Sequence, residues 1–214
     1  GDEPLGLGEN FWFNMLRSPD YAYAIETAPD GTLYASYSPK KFEDYAAVWR
    51  YRGTPEGEPD AWEEVLRIPG ATGVSDITVG PGSPFTVYAG VTGEEPGVWA
   101  STDGGDTWDT LHTDGFGFVT VHAVAIDPHH PTVIFAAPWG DGLYRTIDAG
   151  ETWDRLEVPT ISVAAIVVDR NESNHLLIGD RTRPVVWESW DSGTTWNPLI
   201  EFDDAAHYRV MALA

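Results

Sequence analysis

The sequence predicts an all-β repeat protein built from four-stranded antiparallel units. Three observations carry that prediction. An eight-residue pattern, Ser/Thr-x-Asp-x-Gly-x-Thr-Trp, occurs three times, at Ser101–Trp108, Thr146–Trp153 and Ser189–Trp196. Its acidic residues Asp103, Asp148 and Asp191 stand 45 and 43 residues apart, and a fixed period in that range marks a repeat architecture. Short β-rich segments bounded by Pro, Gly and Asn recur in the same order around each copy.

Each unit reads as strands A to D. A strands are expected at 24–27, 76–79, 123–126 and 165–168, with a fifth at 210–213. B strands follow a turn, at 32–36, 86–90, 133–137 and 175–179. C strands (Gly97–Ala100, Gly142–Arg145, Val185–Glu188) lead into the repeated motif, and D strands leave from its Trp. The Trp marks extend beyond the full motif: Trp12, Trp62, Trp108, Trp153 and Trp196 are spaced 50, 46, 45 and 43. Each is followed three residues later by an apolar residue, Met15, Val65, Leu111, Leu156 or Leu199. One domain over 1–214 results, with units at about 18–68, 72–112, 119–157 and 160–202 and partial strands at 10–16 and 208–214. The chain opens on a D strand and closes on an A strand, and these are not neighbours in a unit. About four complete units inside a larger ring are therefore expected.

The motif has a physical reading as a hairpin staple. An Asp in a tight turn accepts hydrogen bonds from backbone N–H groups one or two residues on. Gly105, Gly150 and Gly193 supply a position where φ can be positive. Trp108, Trp153 and Trp196 bury a large ring against the neighbouring sheet. Ser101, Thr146 and Ser189 open the pattern, and Thr107, Thr152 and Thr195 complete it. None of this requires chemistry.

The pattern closely resembles the Asp-box, or bacterial neuraminidase repeat, found in sialidases, xyloglucan hydrolases, sortilin-type receptors and propeller-type photosystem assembly factors. The resemblance implies a β-propeller, here of six to eight blades in all. It is specific for fold and unspecific for function, because those families mix enzymes and binders.

Composition narrows the partners. A net charge of −22 and a pI near 4.3 argue against nucleic acid and anionic membrane surfaces. No run of about 18 apolar residues is present, so no membrane insertion is expected. With no Cys there are no disulfides, zinc thiolate sites or Cys nucleophiles. The runs Gly104-Gly105 and Gly115-Phe-Gly117 join no strand to a helix, and no Gly-x-Ser-x-Gly elbow occurs, so no nucleotide cofactor is expected. Asp203, Asp204 and His207 have metal-ligand types, but one short loop rarely closes a site, and no metal is assigned. The sequon Asn171-Glu-Ser173 lies in an ordinary A–B turn.

Function is expected on the loops opposite the Asp-boxes, where the resemblance places the site of the related enzymes. The B–C loops carry Lys40, Lys41 and Asp44, then Glu94 and Glu95, then Trp139 and Asp141, then Arg181 and Arg183. The D–A loops carry Arg67, then His112, Asp114, Phe116 and Phe118, then Asp203, Asp204 and His207. His122 and Arg209 stand at A-strand starts. Trp139, Asp141, Arg181, Arg183, His122 and Arg209 are the candidate binding residues, because guanidinium and indole groups are frequent contact hot spots. Arg67-Ile68-Pro69 matches the Arg-Ile-Pro signature of sialidases, but Leu156-Glu-Val-Pro159 occupies the same junction, so the repeat also accounts for it. The reading is a non-catalytic, extracytoplasmic binding scaffold for a protein or carbohydrate ligand. The alternative is a sialidase-like or xyloglucanase-like glycoside hydrolase with part of its catalytic set outside this chain. Such an enzyme needs two carboxyl groups about 5 Å or about 6.5–9.5 Å apart.

Overall fold

A computed structural model describes residues 24–38, 45–53, 62–82, 84–111 and 120–201. These form four antiparallel sheets, each with its four strands in chain order. The first holds β1 (Ile25–Thr27), β2 (Leu33–Tyr37), β3 (Tyr45–Tyr51) and β4 (Trp62–Pro69). The second holds β5 (Ala71–Gly82), β6 (Phe85–Gly93), β7 (Gly97–Ser101) and β8 (Asp109–Thr110). The third holds β9 (Val121–Ile126), β10 (Ile134–Pro138), β11 (Leu143–Thr146) and β12 (Asp154–Leu156). The fourth holds β13 (Val163–Val168), β14 (Leu176–Asp180), β15 (Val185–Ser189) and β16 (Asn197–Glu201). The chain is an all-β, multi-blade propeller. β5 extends well beyond the expected 76–79, pairing with β6 from Ala71 to Gly82 through three register shifts. The expected partial strands 10–16 and 208–214 lie outside the described residues.

The hydrophobic cores lie between sheets, as an amphipathic sheet requires. The first seam packs Tyr34, Val48 and Ile68 against Val74, Ile77 and Val87. The second packs Tyr88, Val98 and Ala100 against Val121, Val124 and Ile134. The third packs Phe135, Ala137 and Leu143 against Val163, Leu176 and Ile178. Trp108, Trp153 and Trp196 each join the seam with the preceding sheet. Val65, Leu111 and Leu156, three residues after a Trp, join the seam with the following one.

Polar groups stitch the same seams. The Arg50 guanidinium, only 2% exposed, donates to the Gly104 carbonyl and pairs with Glu63 and Asp106, each at 2.7 Å. Tyr34 Oη donates to the same carbonyl at 2.9 Å. Arg145 donates to the equivalent carbonyl one motif later, Ser192 O, at 3.1 Å. Arg145 precedes Thr146 of its own Asp-box, so these consecutive Asp-box turns lie at one end of their sheets. Near the axis, Ser75 Oγ donates to Val121 O, and Asp76 Oδ2 accepts from Val124 N at 2.9 Å.

The Asp-box staple is present three times with one geometry. Thr107, Thr152 and Thr195 donate their N–H to Oδ1 of Asp103, Asp148 and Asp191 at 2.8, 2.9 and 2.7 Å. Their hydroxyls donate to Oδ2 at 2.6 Å each. The donor thus lies four residues after the Asp, not one or two, because two consecutive left-handed residues curl the chain back. The opening hydroxyls of Ser101, Thr146 and Ser189 are buried, donate to Oδ1 and accept the Gly105, Gly150 and Gly193 N–H.

The glycine has two reasons. Gly150 and Gly193 have φ of 94° and 87°. A Cβ there would also stand 2.5 Å from Leu111 Cδ1 or 2.7 Å from Leu156 Cδ1, side chains of the preceding sheet. The residue before it is left-handed as well, with Ala149 at φ 59° and Ser192 at 57°, where the second motif has Gly104. A left-handed L-residue costs about 1–2 kcal/mol, partly offset by the entropy glycine loses on folding. Ala149→Gly is therefore expected to stabilise the protein by roughly 0.5–1 kcal/mol, read as a higher urea midpoint at unchanged slope.

Candidate functional site

The inner strands β1, β5, β9 and β13 line a central cavity of about 790 Å³. Its wall includes Glu26, Ser75, Asp76, His122, Ala165 and Arg170. Asp76 takes a position that the other inner strands fill with Ala24, Ala123 and Ala165. Its Oδ1 accepts from Ile77 N at 3.0 Å. Burial pushes this carboxyl up to about 7, against the pull of the Val124 and Ile77 N–H groups, and the charge of Glu26 adds to the rise. Glu26 is itself raised by burial and eased back by Arg170.

At the loop end, three candidate residues come together across the third seam. His122 is the second residue of β9. Trp139 follows β10 directly, with its N–H on Thr120 O at 2.8 Å. Arg181 follows β14, with its N–H on Ser162 O at 2.9 Å. The Trp139 ring lies 4.5 Å from the His122 ring, and the Arg181 guanidinium sits 4.6 Å from the Trp139 ring centroid. Trp139 is 52% exposed. Burial first, then the charge of Arg181, pulls His122 down to about 4, so its ring is neutral at pH 7. A flat cation over an exposed indole is a pre-organised contact surface, since stacking fixes the guanidinium and leaves its edge to a ligand.

The other candidates are engaged locally. Asp141 accepts from Tyr144 Oη at 2.8 Å and pairs with Arg155 at 3.4 Å. Arg183 pairs with the buried Asp180 at 2.9 Å, donates to Pro159 O at 2.8 Å and lies 5.1 Å from the Trp187 ring centroid. These contacts brace the B–C loops. Arg67 lies within β4, binds Glu64 through two contacts of 2.6 and 2.7 Å, and stacks 3.4 Å over the Tyr45 ring. Arg209, and with it Lys40, Lys41, Asp44, His112, Asp114, Phe116, Phe118, Asp203, Asp204 and His207, lies outside the described residues. Among the described residues no group of three or more His, Asp or Glu side chains could hold a metal ion. No helix among them is long and apolar enough to cross a membrane. Sequence reasoning missed Asp76; its signal was a carboxylate in an otherwise Ala column of an apolar strand.

Residues 97–212, more than half of the 214, match the family model described as Sortilin-Vps10: Sortilin, neurotensin receptor 3. The chain belongs to the Sortilin-Vps10 family. No curated protein sequence matches it significantly. Among solved structures, this Sortilin-Vps10 chain is similar to a GH74 enzyme from Niastella koreensis at 16% identity and a TM-score of 0.67, with 86% of this chain and 30% of that one covered. It is similar to the GH74 xyloglucanase of Xanthomonas campestris at 17% identity and a TM-score of 0.59, covering 89% and 31%. It is also similar to YCF48 bound to a D1 peptide, at 13% identity and a TM-score of 0.56, covering 86% and 55%. At such identities the likeness is one of fold. The Sortilin-Vps10 match and these neighbours agree on the propeller, and the chain spans a third or less of the two enzymes.

Proposed function

We propose that this chain is a non-catalytic binding scaffold, working outside the cytoplasm, whose loop face takes a protein or glycan ligand beside the mouth of the central cavity. The observation that carries this reading is the His122–Trp139–Arg181 cluster, an exposed indole with a cation stacked on it and a neutral imidazole beside it. Two further observations support it. Asp141 and Arg67, the residues that a hydrolase would most readily recruit here, are held by Arg155, Tyr144 and Glu64. YCF48, a propeller of similar fold, has been solved with a peptide bound.

A glycoside hydrolase is the second reading, and Asp76 favours it. A carboxyl held up to about 7 on a cavity wall, with Glu26 near enough to raise it, has the protonation a general acid needs. One set of measurements separates the two. The parent chain is screened against xyloglucan oligosaccharides, sialosides and a peptide library, with fluorogenic glycosides assayed in parallel. The expected outcome is binding without turnover, weakened about tenfold or more by Trp139→Ala and by Arg181→Ala. Turnover in the parent that Asp76→Asn abolishes would establish the hydrolase instead.

A further inference from the structure

The two outer flanks of the sheet array expose apolar residues at repeat positions that the interior seams bury. Ile25 of β1 is 58% exposed, whereas its counterparts Ile77 and Val124 are 4% and 3% exposed. Leu199 of β16 is 46% exposed and Ile200 45%. The counterparts of Leu199 are Leu111 and Leu156, and both pack into seams. The repeat fixes the direction of each contact. Ile77 and Val124 lean on the preceding sheet, while Leu111 and Leu156 reach the Asp-box glycine of the following one. The flank of the fourth sheet and the flank of the first therefore stand in the same relation as the two sides of every interior seam.

We propose that these flanks join head to tail between two copies of this chain, the fourth sheet of each copy packing on the first sheet of the other. Two such contacts related by a twofold axis close the assembly, and eight sheets then surround one cavity. Large apolar residues exposed on both ends, at positions whose equivalents form cores, are what an interface continuous with those cores leaves uncovered in one copy. The four sheets match 55% of the YCF48 propeller, so a remainder of similar size completes a ring of that kind.

Light-scattering mass in solution tests this. The parent chain is expected at twice the 23.5 kDa of one copy. Ile25→Glu and Leu199→Glu should each halve the mass while circular dichroism keeps its β signature; Leu199→Ser serves if the charged variant does not fold. Mixing the Ile25→Glu and Leu199→Glu chains should restore pairs, because each mixed pair retains one unaltered contact. A Leu199-to-Leu199 association would not be rescued by mixing and would overturn the head-to-tail arrangement. A parent that runs as a single copy would overturn the proposal, since the flanks are then covered by other parts of the same polypeptide or left to solvent. An unchanged mass in both variants would overturn it as well.

Discussion

Trp153→Ala is expected to lower the unfolding free energy by about 3–5 kcal/mol, the range for truncating a large core side chain. The indole joins the second core alongside Leu111, where the third sheet meets the second. Its loss removes apolar contact from a seam and leaves Leu111 and Gly150 without their neighbour. Asp148→Ala should cost less, because its partners, the Thr152 N–H and the Thr146 and Thr152 hydroxyls, lie close enough to water to be solvated in its absence. The two variants also differ in pH dependence. Hydrogen bonds from Thr146 first, then Thr152, draw the Asp148 carboxyl down to about 2, from an ordinary 3.8. A depressed acid contributes stability that is present above the unfolded value and is lost as pH falls through the folded one. Asp148→Ala should therefore lose most relative to the parent above pH 4 and converge with it towards pH 2. Trp153→Ala should keep the parent's acid limb. Urea midpoints across pH check both statements, and midpoints equal to the parent's would show that the motif staples nothing.

Much of this architecture was legible because the repeat writes it three times over. The Trp spacing located the units, and the apolar residue three positions on located the seam with the following sheet. The curl of the motif was not legible. Nothing in the sequence says that Ala149 and Ser192 would be left-handed, since only the second motif places a glycine there. Nor does composition reveal that Arg50 and Arg145 serve neighbouring Asp-box carbonyls. The carbonyls acquire partners only once adjacent sheets stand side by side. On the loop face the residue types were readable, but their grouping was not. Trp139 and Arg181 lie 42 positions apart and meet because they follow equivalent strands of adjacent sheets. Asp141 and Arg183, equally prominent in the sequence, are held by Arg155 and Asp180.

Asp76→Asn is expected to make the protein more stable above pH 7 and to flatten its stability profile between about pH 4 and 7. The parent's Asp76 carboxyl titrates near 7 when folded, against an ordinary value of 3.8. Between those values the folded chain holds a proton that the unfolded chain releases. The contribution is therefore complete below 3.8 and declines as pH rises through 7. At about 1.4 kcal/mol per unit the span is at most a few kcal/mol, and channel water reduces it to roughly 1–3 kcal/mol. Asparagine keeps an oxygen for the Val124 or Ile77 N–H and never ionises, so it escapes the decline. Two neighbours titrate in the same window. Glu26, raised by burial, steepens the fall. His122, pulled down to about 4 from an ordinary 6.5, acts the other way, because its neutral folded ring favours the folded state increasingly as pH rises from 4 to 6.5. The parent's profile is thus a sum of opposed slopes, and the difference between parent and Asp76→Asn isolates one of them. Chemical denaturation at half-unit steps from pH 4 to 8 measures it. A difference that grows with pH places a protonated acid on the cavity wall at neutrality, able to donate a hydrogen bond to a ligand there. A difference that stays flat would mean that Asp76 is ionised throughout, and the hydrolase reading would lose its acid.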